Sequence, residues 1–298
     1  MAYLLGRTNV ADQNNLKPTQ QQLFSYKLTK NSNSFAQKVS EDVTDPSSVV
    51  GKSSPKEEIF NMTARDFFTT FADLMLTNPP ALPQDEDIVS RMASEYGLVA
   101  GQEWDYGALS VLQRKQLDEG LAEGVKLINN YPITRVNGWA MPDMATGNFS
   151  SDYYLRAYIG LVLYAANVPQ DAVYYETELF QGGADKVYQI YFPAGELPPS
   201  NEFWSITMYS EEGYLVPNEN GTYSVSSQQN LKYRDDGSLH VTISMSQPSD
   251  VSDTNWLPAP QAGENFSLTL RIYWPQESVL DLSWAPPAVT AVETTTQQ

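Results

Sequence analysis

The chain has no cysteine among its 298 residues. That excludes disulfides, thiolate nucleophiles and cysteine-ligated zinc. Histidine is almost as scarce, since His240 is the only one. A Ser-His-Asp triad would have to be built on it, and a HExxH zinc site or a two-histidine iron site needs more than one. Bases are few: 18 Lys and Arg stand against 36 Asp and Glu, for a formal charge of −18. Nucleic acid and anionic membrane surfaces both require clustered positive charge, so neither is expected as a partner. The excess acid reads as a solubilising surface. No run approaches the ~18 apolar residues of a membrane span. The opening Met1-Ala-Tyr-Leu-Leu-Gly-Arg is too short for a signal peptide and lacks its basic head, and compartment is left open.

What is present changes character along the chain. Residues 1–60 are polar, rich in Gln, Ser and Asn, and weakly patterned apart from Tyr3-Leu4-Leu5-Gly6, which suits one short strand. They read as an extended arm. Residues 61–134 are predicted helical. Thr63 with Asp66 resembles a capping box, and Phe67, Phe68, Phe71, Leu74 and Met75 follow at helical spacing until Pro79-Pro80. A second helix is expected from about Asp85 to Tyr96 with Gly97 beyond its end, and a third from Ser110 carrying Leu117, Leu121, Val125 and Ile128 inward. A fourth, over 151–167, is almost wholly apolar from Ala157 to Ala166 and is expected to be buried on most faces across a sheet.

After Pro169 the period changes from 3.6 to 2. Trp204, Ile206 and Met208 alternate with Ser205, Thr207 and Tyr209. The same holds for Leu239–Ser246 and for Phe266–Tyr273, with further strands near 172–180 and 186–192. Asp235-Asp236-Gly237 reads as a turn. Strands with one apolar face, separated by Pro and Gly turns, predict an antiparallel jelly-roll-like β-sandwich over 135–290. The fold class is therefore α+β: a sandwich preceded by a helical subdomain and an extended N-terminal arm. Residues 291–298 form a disordered tail in this reading.

Several phrases in this half occur in a fixed order: Asn137-Gly138-Trp139, Ser-Asp-Tyr-Tyr-Leu-Arg-Ala (151–157), Asp171-Ala172-Val173-Tyr174, Phe-Pro-Ala-Gly-Glu-Leu-Pro-Pro (192–199), Phe-Trp-Ser-Ile-Thr-Met-Tyr (203–209), Asn-Trp-Leu-Pro-Ala-Pro (255–260) and Leu-Thr-Leu-Arg-Ile-Tyr-Trp-Pro (268–275). Together they resemble the C-terminal domain of proteins that pair domains of unknown function 1254 and 1214. Leu5-Gly6-Arg7-Thr8 resembles the closing strand of the first domain, and the resemblance implies that most of that β-barrel-like unit is missing ahead of Met1. Relatives often read Asn-Arg-Tyr where this chain has Gly221-Thr222-Tyr223, which removes an arginine. The resemblance implies a two-sheet C-terminal domain, a cleft shared with the helical part and a family whose members are often exported. It implies no established substrate.

Candidate site residues follow from chemistry and placement. Asp152 and Arg156, at i and i+4 on an apolar helix, predict that at least one points into an enclosed space, either as a structural ion pair or as a ligand clamp. Trp139, Tyr209 and Arg271 would complete a ligand site with them. Glu176 and Glu178, two apart on a strand, share a face with Cα atoms about 6.5–7 Å apart, compatible with a glycosidase pair or with a charged edge strand. Asp250, Asp253 and Asn255 form an oxygen-rich loop that suits either calcium or a solvated turn. His240 reads as a surface histidine, and most of the six tryptophans as corner plugs. No cofactor and no metal are expected. The functional reading is a sandwich that binds a small molecule or glycan, with carboxylate-based hydrolysis as its enzymatic form. The alternative is an assembly protein, a homo-oligomer whose N-terminal arm completes a neighbouring protomer.

Overall fold

The structure is a computed structural model that describes residues 55–80 and 82–292. The short strand at Tyr3–Gly6, the resemblance at Leu5–Thr8, almost all of the arm and most of the tail lie outside the described residues. The protein is mixed α+β and falls into two units, one ending at Leu121 and one starting at Ala122.

The first unit is helical. Helix α1 (Pro55–Phe60) occupies the end of the segment expected to be extended. Proline at the first helical position presets φ, and Glu57 and Glu58 suit the helix dipole. Helix α2 (Ala64–Thr77) starts at Thr63, whose hydroxyl accepts the Asp66 N–H at 3.2 Å. Its buried stripe is Ala64, Ala72 and Met75, with Phe68 partly buried on the same side. Leu74 is 57% exposed, so the stripe is rotated from the one expected. Ala64 and Ala72 are buried in two separate apolar clusters, and their small size hides them from a reading that counts large side chains. Helix α3 (Glu86–Tyr96) ends at Gly97, whose φ of +66° is the left-handed stop that glycine permits. Helix α4 (Val111–Asn129), within which the first unit ends and the second starts, is introduced by a reciprocal box in which Gln113 accepts the Ser110 N–H at 2.8 Å and Ser110 accepts the Gln113 N–H at 3.2 Å. Leu117 is buried as expected, while Leu121, Val125 and Ile128 are half-buried.

The second unit is a two-sheet sandwich. Its strands are β1 (Arg135–Val136), β2 (Trp139–Ala140), β3 (Ala172–Thr177), β4 (Phe180–Gln181), β5 (Val187–Phe192), β6 (Trp204–Ser210), β7 (Ser224–Ser226), β8 (Leu239–Ser244), β9 (Trp256–Pro258), β10 (Asn265–Tyr273) and β11 (Val289–Ala291). The larger sheet runs β1-β2-β3-β10-β6-β7, with β4 also on β10. The smaller runs β11-β5-β8-β9. All pairings are antiparallel except β8 with β9. Period-2 alternation decides which face looks inward. Val173 and Tyr175, Ile206 and Met208, and Leu268, Leu270 and Ile272 of the large sheet share one core with Ile190, Phe192, Leu239, Val241, Ile243 and Leu257 of the small one.

Two helices complete this unit, α5 (Tyr153–Val162) and α6 (Glu277–Leu280). Helix α5 departs from expectation. It is ten residues long, and only Leu155 and Ile159 are buried. A helix laid on one sheet can bury only one stripe, whatever the composition of its other sides. The chain leaves the helix at Leu163, and Ala165 adopts a left-handed φ of +60°. Tyr164, in that exit, is 73% exposed.

One backbone crossing sets a limit on the sequence. The Gly182 N–H donates to the Glu264 carbonyl at 2.8 Å. A Cβ at Gly182 would collide with the carbonyl oxygens of Pro260 and Gln261, the latter 2.7 Å away. Gly182→Ala is expected to cost ~1–3 kcal/mol in urea denaturation, because the obstacle is backbone rather than a movable side chain. An unchanged midpoint would show that the 260–264 loop yields freely.

Candidate functional site

The outward face of the large sheet is polar where the inward face is apolar. Tyr174 and Glu176 on β3 and Thr269 and Arg271 on β10 all point outward, and Tyr209 does so on β6. Thr269 lies opposite Glu176, and Arg271 opposite Tyr174. Helix α5 lies over part of this face, and the segment from Tyr131 to Thr146 closes its side. Between them is a cavity of about 360 Å³. Leu155, Ile159 and Val162 form an apolar wall, and Tyr131, Tyr158, Tyr174, Asp143, Asn167 and Glu176 supply its polar atoms.

The β1–β2 hairpin holds one side of this space. Its two turn residues, Asn137 and Gly138, have φ of +52° and +84°. Both central positions must be left-handed in the commonest tight hairpin, which is why Asn-Gly stands there. The turn is tied down by the Asn137 amide, which donates to the Pro286 carbonyl at 3.0 Å, and by the Trp139 indole N–H, which donates to Pro287 at 2.8 Å. Arg135 reaches from the hairpin to the Glu176 and Gly138 carbonyls, each at 3.2 Å, and ion-pairs with Glu178 at 3.4 Å.

Glu176 is the chemically distinctive group. The residue as a whole is exposed on the outer face of β3, while neighbouring protein groups crowd its carboxyl. Partial desolvation pushes it above the usual glutamate range, against the pull of Arg135 and Arg271. Tyr158 is also raised, by burial first and then by the Glu176 charge, with Arg135 opposing. Its ring stacks on Tyr131 with centroids 4.3 Å apart and planes 11° from parallel. Burial, Asp143 and Asp152 raise Tyr131 in turn. The Tyr174 hydroxyl donates to Asn167 Oδ1 at 2.7 Å.

The sequence-predicted residues divide. Tyr209 and Arg271 do come together: the Arg271 guanidinium donates to the Tyr209 hydroxyl at 2.8 Å and lies 5.3 Å from that ring's centroid and 6.0 Å from that of Tyr174. Trp139 is fully buried and belongs to the core, so it offers no ligand surface. Asp152 does not point into an enclosed space. It is exposed and caps α5, accepting the Leu155 N–H at 2.9 Å. Arg156 is exposed too and does not line the cavity, because the α5 stripe that does so runs through 155, 158, 159 and 162. Of the two paired glutamates, Glu176 lines the cavity and Glu178 is engaged by Arg135 outside it. Asn255 is spent on structure: its amide donates to the Lys232 and His240 carbonyls at 2.8 and 2.9 Å and accepts the Lys232 N–H at 2.8 Å. Among the described residues, no group of three or more His, Asp or Glu side chains is arranged to hold a metal ion. His240 packs on the Tyr191 ring at 4.8 Å, and burial followed by the Arg234 charge lowers its pKa, with Asp236 opposing.

Tyr131, Asp143, Tyr158 and Tyr174 were not among the residues expected from sequence. Tyr174 and Glu176 share the alternation of β3, and Asn137-Gly138 announces the hairpin, so both were readable in principle. Tyr131 and Tyr158 become neighbours only through tertiary packing.

The raised Glu176 gives a linkage test. The folded protein holds this proton more tightly than the unfolded chain. Its contribution to stability is therefore full below the ordinary value of 4.5 and is lost as pH rises through the folded value. Glu176→Gln removes that loss, so its thermal midpoint should exceed wild type at pH 7 and converge with it near ~pH 4. A midpoint at or below wild type at pH 7 would show that the carboxylate is well satisfied.

The comparisons bear on the fold. The chain is similar in structure to the VPA0106 protein from Vibrio parahaemolyticus, at 18% identity and a TM-score of 0.52, covering 82% of this chain and 58% of that one. It thus spans a little over half the length of the Vibrio protein. An uncharacterized protein from Burkholderia cenocepacia matches at 16% identity and a TM-score of 0.36, over 63% of this chain and 46% of its own. No curated protein matches in sequence. Residues 172–277, from β3 to the first residue of α6, match the family model described as a protein of unknown function, DUF1214, within the span whose phrases suggested that domain.

Proposed function

We propose that the sandwich unit binds a small, largely apolar molecule in the cavity under α5, and that this molecule presents a hydrogen-bond donor to Glu176. The observation that carries this reading is a carboxyl with raised pKa in a concave space whose other walls are mostly aliphatic and tyrosine side chains. Its volume, about 360 Å³, falls within the roughly 300–1,000 Å³ of small-molecule sites. Desolvating a carboxyl without a compensating partner costs free energy, and such a cost is retained where a ligand relieves it. The stacked Tyr131 and Tyr158 pair gives the cavity a planar wall suited to a ring, whether sugar or aromatic. In the enzymatic form of this reading, hydrolysis uses Glu176 as the proton acceptor with Asp143 as the second carboxylate of the cavity.

Val162 lines the cavity near the end of α5 and is 41% exposed, so a larger side chain there can close the space without disturbing the core. Saturation-transfer NMR with a fragment set that includes indole and p-cresol is expected to give hits on wild type. Val162→Trp should abolish them while circular dichroism and the thermal midpoint stay close to wild type. Hits that persist unchanged in Val162→Trp would place binding elsewhere and sink this reading.

A further inference from the structure

We infer that the ligand is amphoteric: it carries a carboxylate for Arg271 and an amine for Glu176 on an apolar body. This rests on the cavity being the binding site, as proposed above, and adds the class of molecule it takes; Arg271 is not itself a lining residue but stands directly opposite Tyr174, which is.

Glu176 and Arg271 are diagonal neighbours on one face of adjacent strands, because Thr269 is opposite Glu176 and Arg271 opposite Tyr174. Diagonal residues lie about 7–8 Å apart, well within reach of both side chains. Yet the two do not meet. Among the described residues Glu176's carboxylate has no hydrogen bond and no ion pair, and Arg271 has no ion pair. Arg271 is instead held by the Tyr209 hydroxyl and by the Tyr174 and Tyr209 rings. A guanidinium has five N–H donors, and one is used here. In a chain with 36 acids, the contacts of this arginine are with two tyrosines. The result is a pair of opposite charges on one surface with a gap between them.

That gap discriminates by charge. A bare amine at Glu176 would be repelled by the guanidinium beside it, and a bare carboxylate at Arg271 would face the Glu176 carboxylate. A group carrying both, as in an α-amino acid, satisfies both anchors at once. Its side chain would then rest against Leu155, Ile159 and Val162.

The test uses four probes with one shared body: L-phenylalanine, phenethylamine, 3-phenylpropionate and ethylbenzene. Calorimetric titration of the full chain should show L-phenylalanine binding about tenfold or more tighter than either one-charge analogue. Arg271→Gln should reduce its advantage over phenethylamine to about threefold or less, and Glu176→Gln its advantage over 3-phenylpropionate likewise. If all four bind wild type alike, or if the variants leave the preferences unchanged, the amphoteric ligand is overturned while the cavity stands as a binding site. If none of the four binds, both readings fall.

Discussion

Strand β10 has to serve two faces at once, and the rest of the sandwich unit depends on how it does so. It is the longest strand of the large sheet, and β3, β4 and β6 all pair with it. Its even-numbered positions, Phe266, Leu268, Leu270 and Ile272, are fully buried in the inter-sheet core. Of its odd-numbered positions, Thr269 lines the candidate site and Arg271 stands on the same outer face opposite Tyr174. Side-chain direction along a strand has a period of two, so a one-residue slip would put Arg271 into the core and Leu270 onto the outer face. The register is therefore enforced by the apolar side, and the site inherits its precision from it. The Thr177 hydroxyl, accepting the Leu268 N–H at 2.9 Å, pins the pairing with β3 within two residues of Glu176.

The cavity has its own physical origin. Helix α5 presents aliphatic side chains to the sheet, but the outer face of β3 and β10 presents Tyr174, Glu176 and Thr269. Dense packing requires surfaces that exclude water from both sides. An apolar helix on a partly polar sheet cannot reach that state without stranding Glu176, so the two stay apart and leave room. Only Leu155 and Ile159 are buried in consequence.

This mismatch explains what the sequence did and did not reveal. The strands were legible because alternation is local: Trp204, Ile206 and Met208 point inward as their spacing demands, and so do Leu239, Val241 and Ile243. Helix starts at Thr63 and Ser110 and the stop at Gly97 were legible because caps are made by residues three or four apart. Burial of α5 was not, since apolar composition states what a helix can bury and not how much partner surface exists. The same gap bears on Asp152, expected with Arg156 to form a structural ion pair or a ligand clamp with at least one of them facing an enclosed space: Asp152 is exposed, and its position before the first helical residue makes it an N-cap. Trp139 stood beside glycine like a loop aromatic, but its indole is carried into the core by the hairpin that Asn137-Gly138 forms. Of the expected ligand residues, Tyr209 and Arg271 share the outward face of adjacent strands, which period 2 makes visible, and although four register positions apart they meet through their long side chains.

Arg135 then decides which carboxylate is left unsatisfied. It stands on the hairpin beside β3, within range of both Glu176 and Glu178. Its guanidinium contacts the backbone carbonyl of Glu176 and the carboxylate of Glu178, and so stabilises the charge outside the cavity. Had it closed on the Glu176 carboxylate instead, that group would be held down in the ordinary range and the cavity would have no distinctive charge. Arg135 turns instead to the residue just past the end of β3. The last residue of β3 is Thr177, so Glu178 is already free of the pleat and turns toward Arg135, while Glu176 is fixed on the outward face. Arg271 is withheld in the same way by Tyr209. Two arginines within electrostatic range of one glutamate, each committed to another partner, leave Glu176 partly desolvated and available.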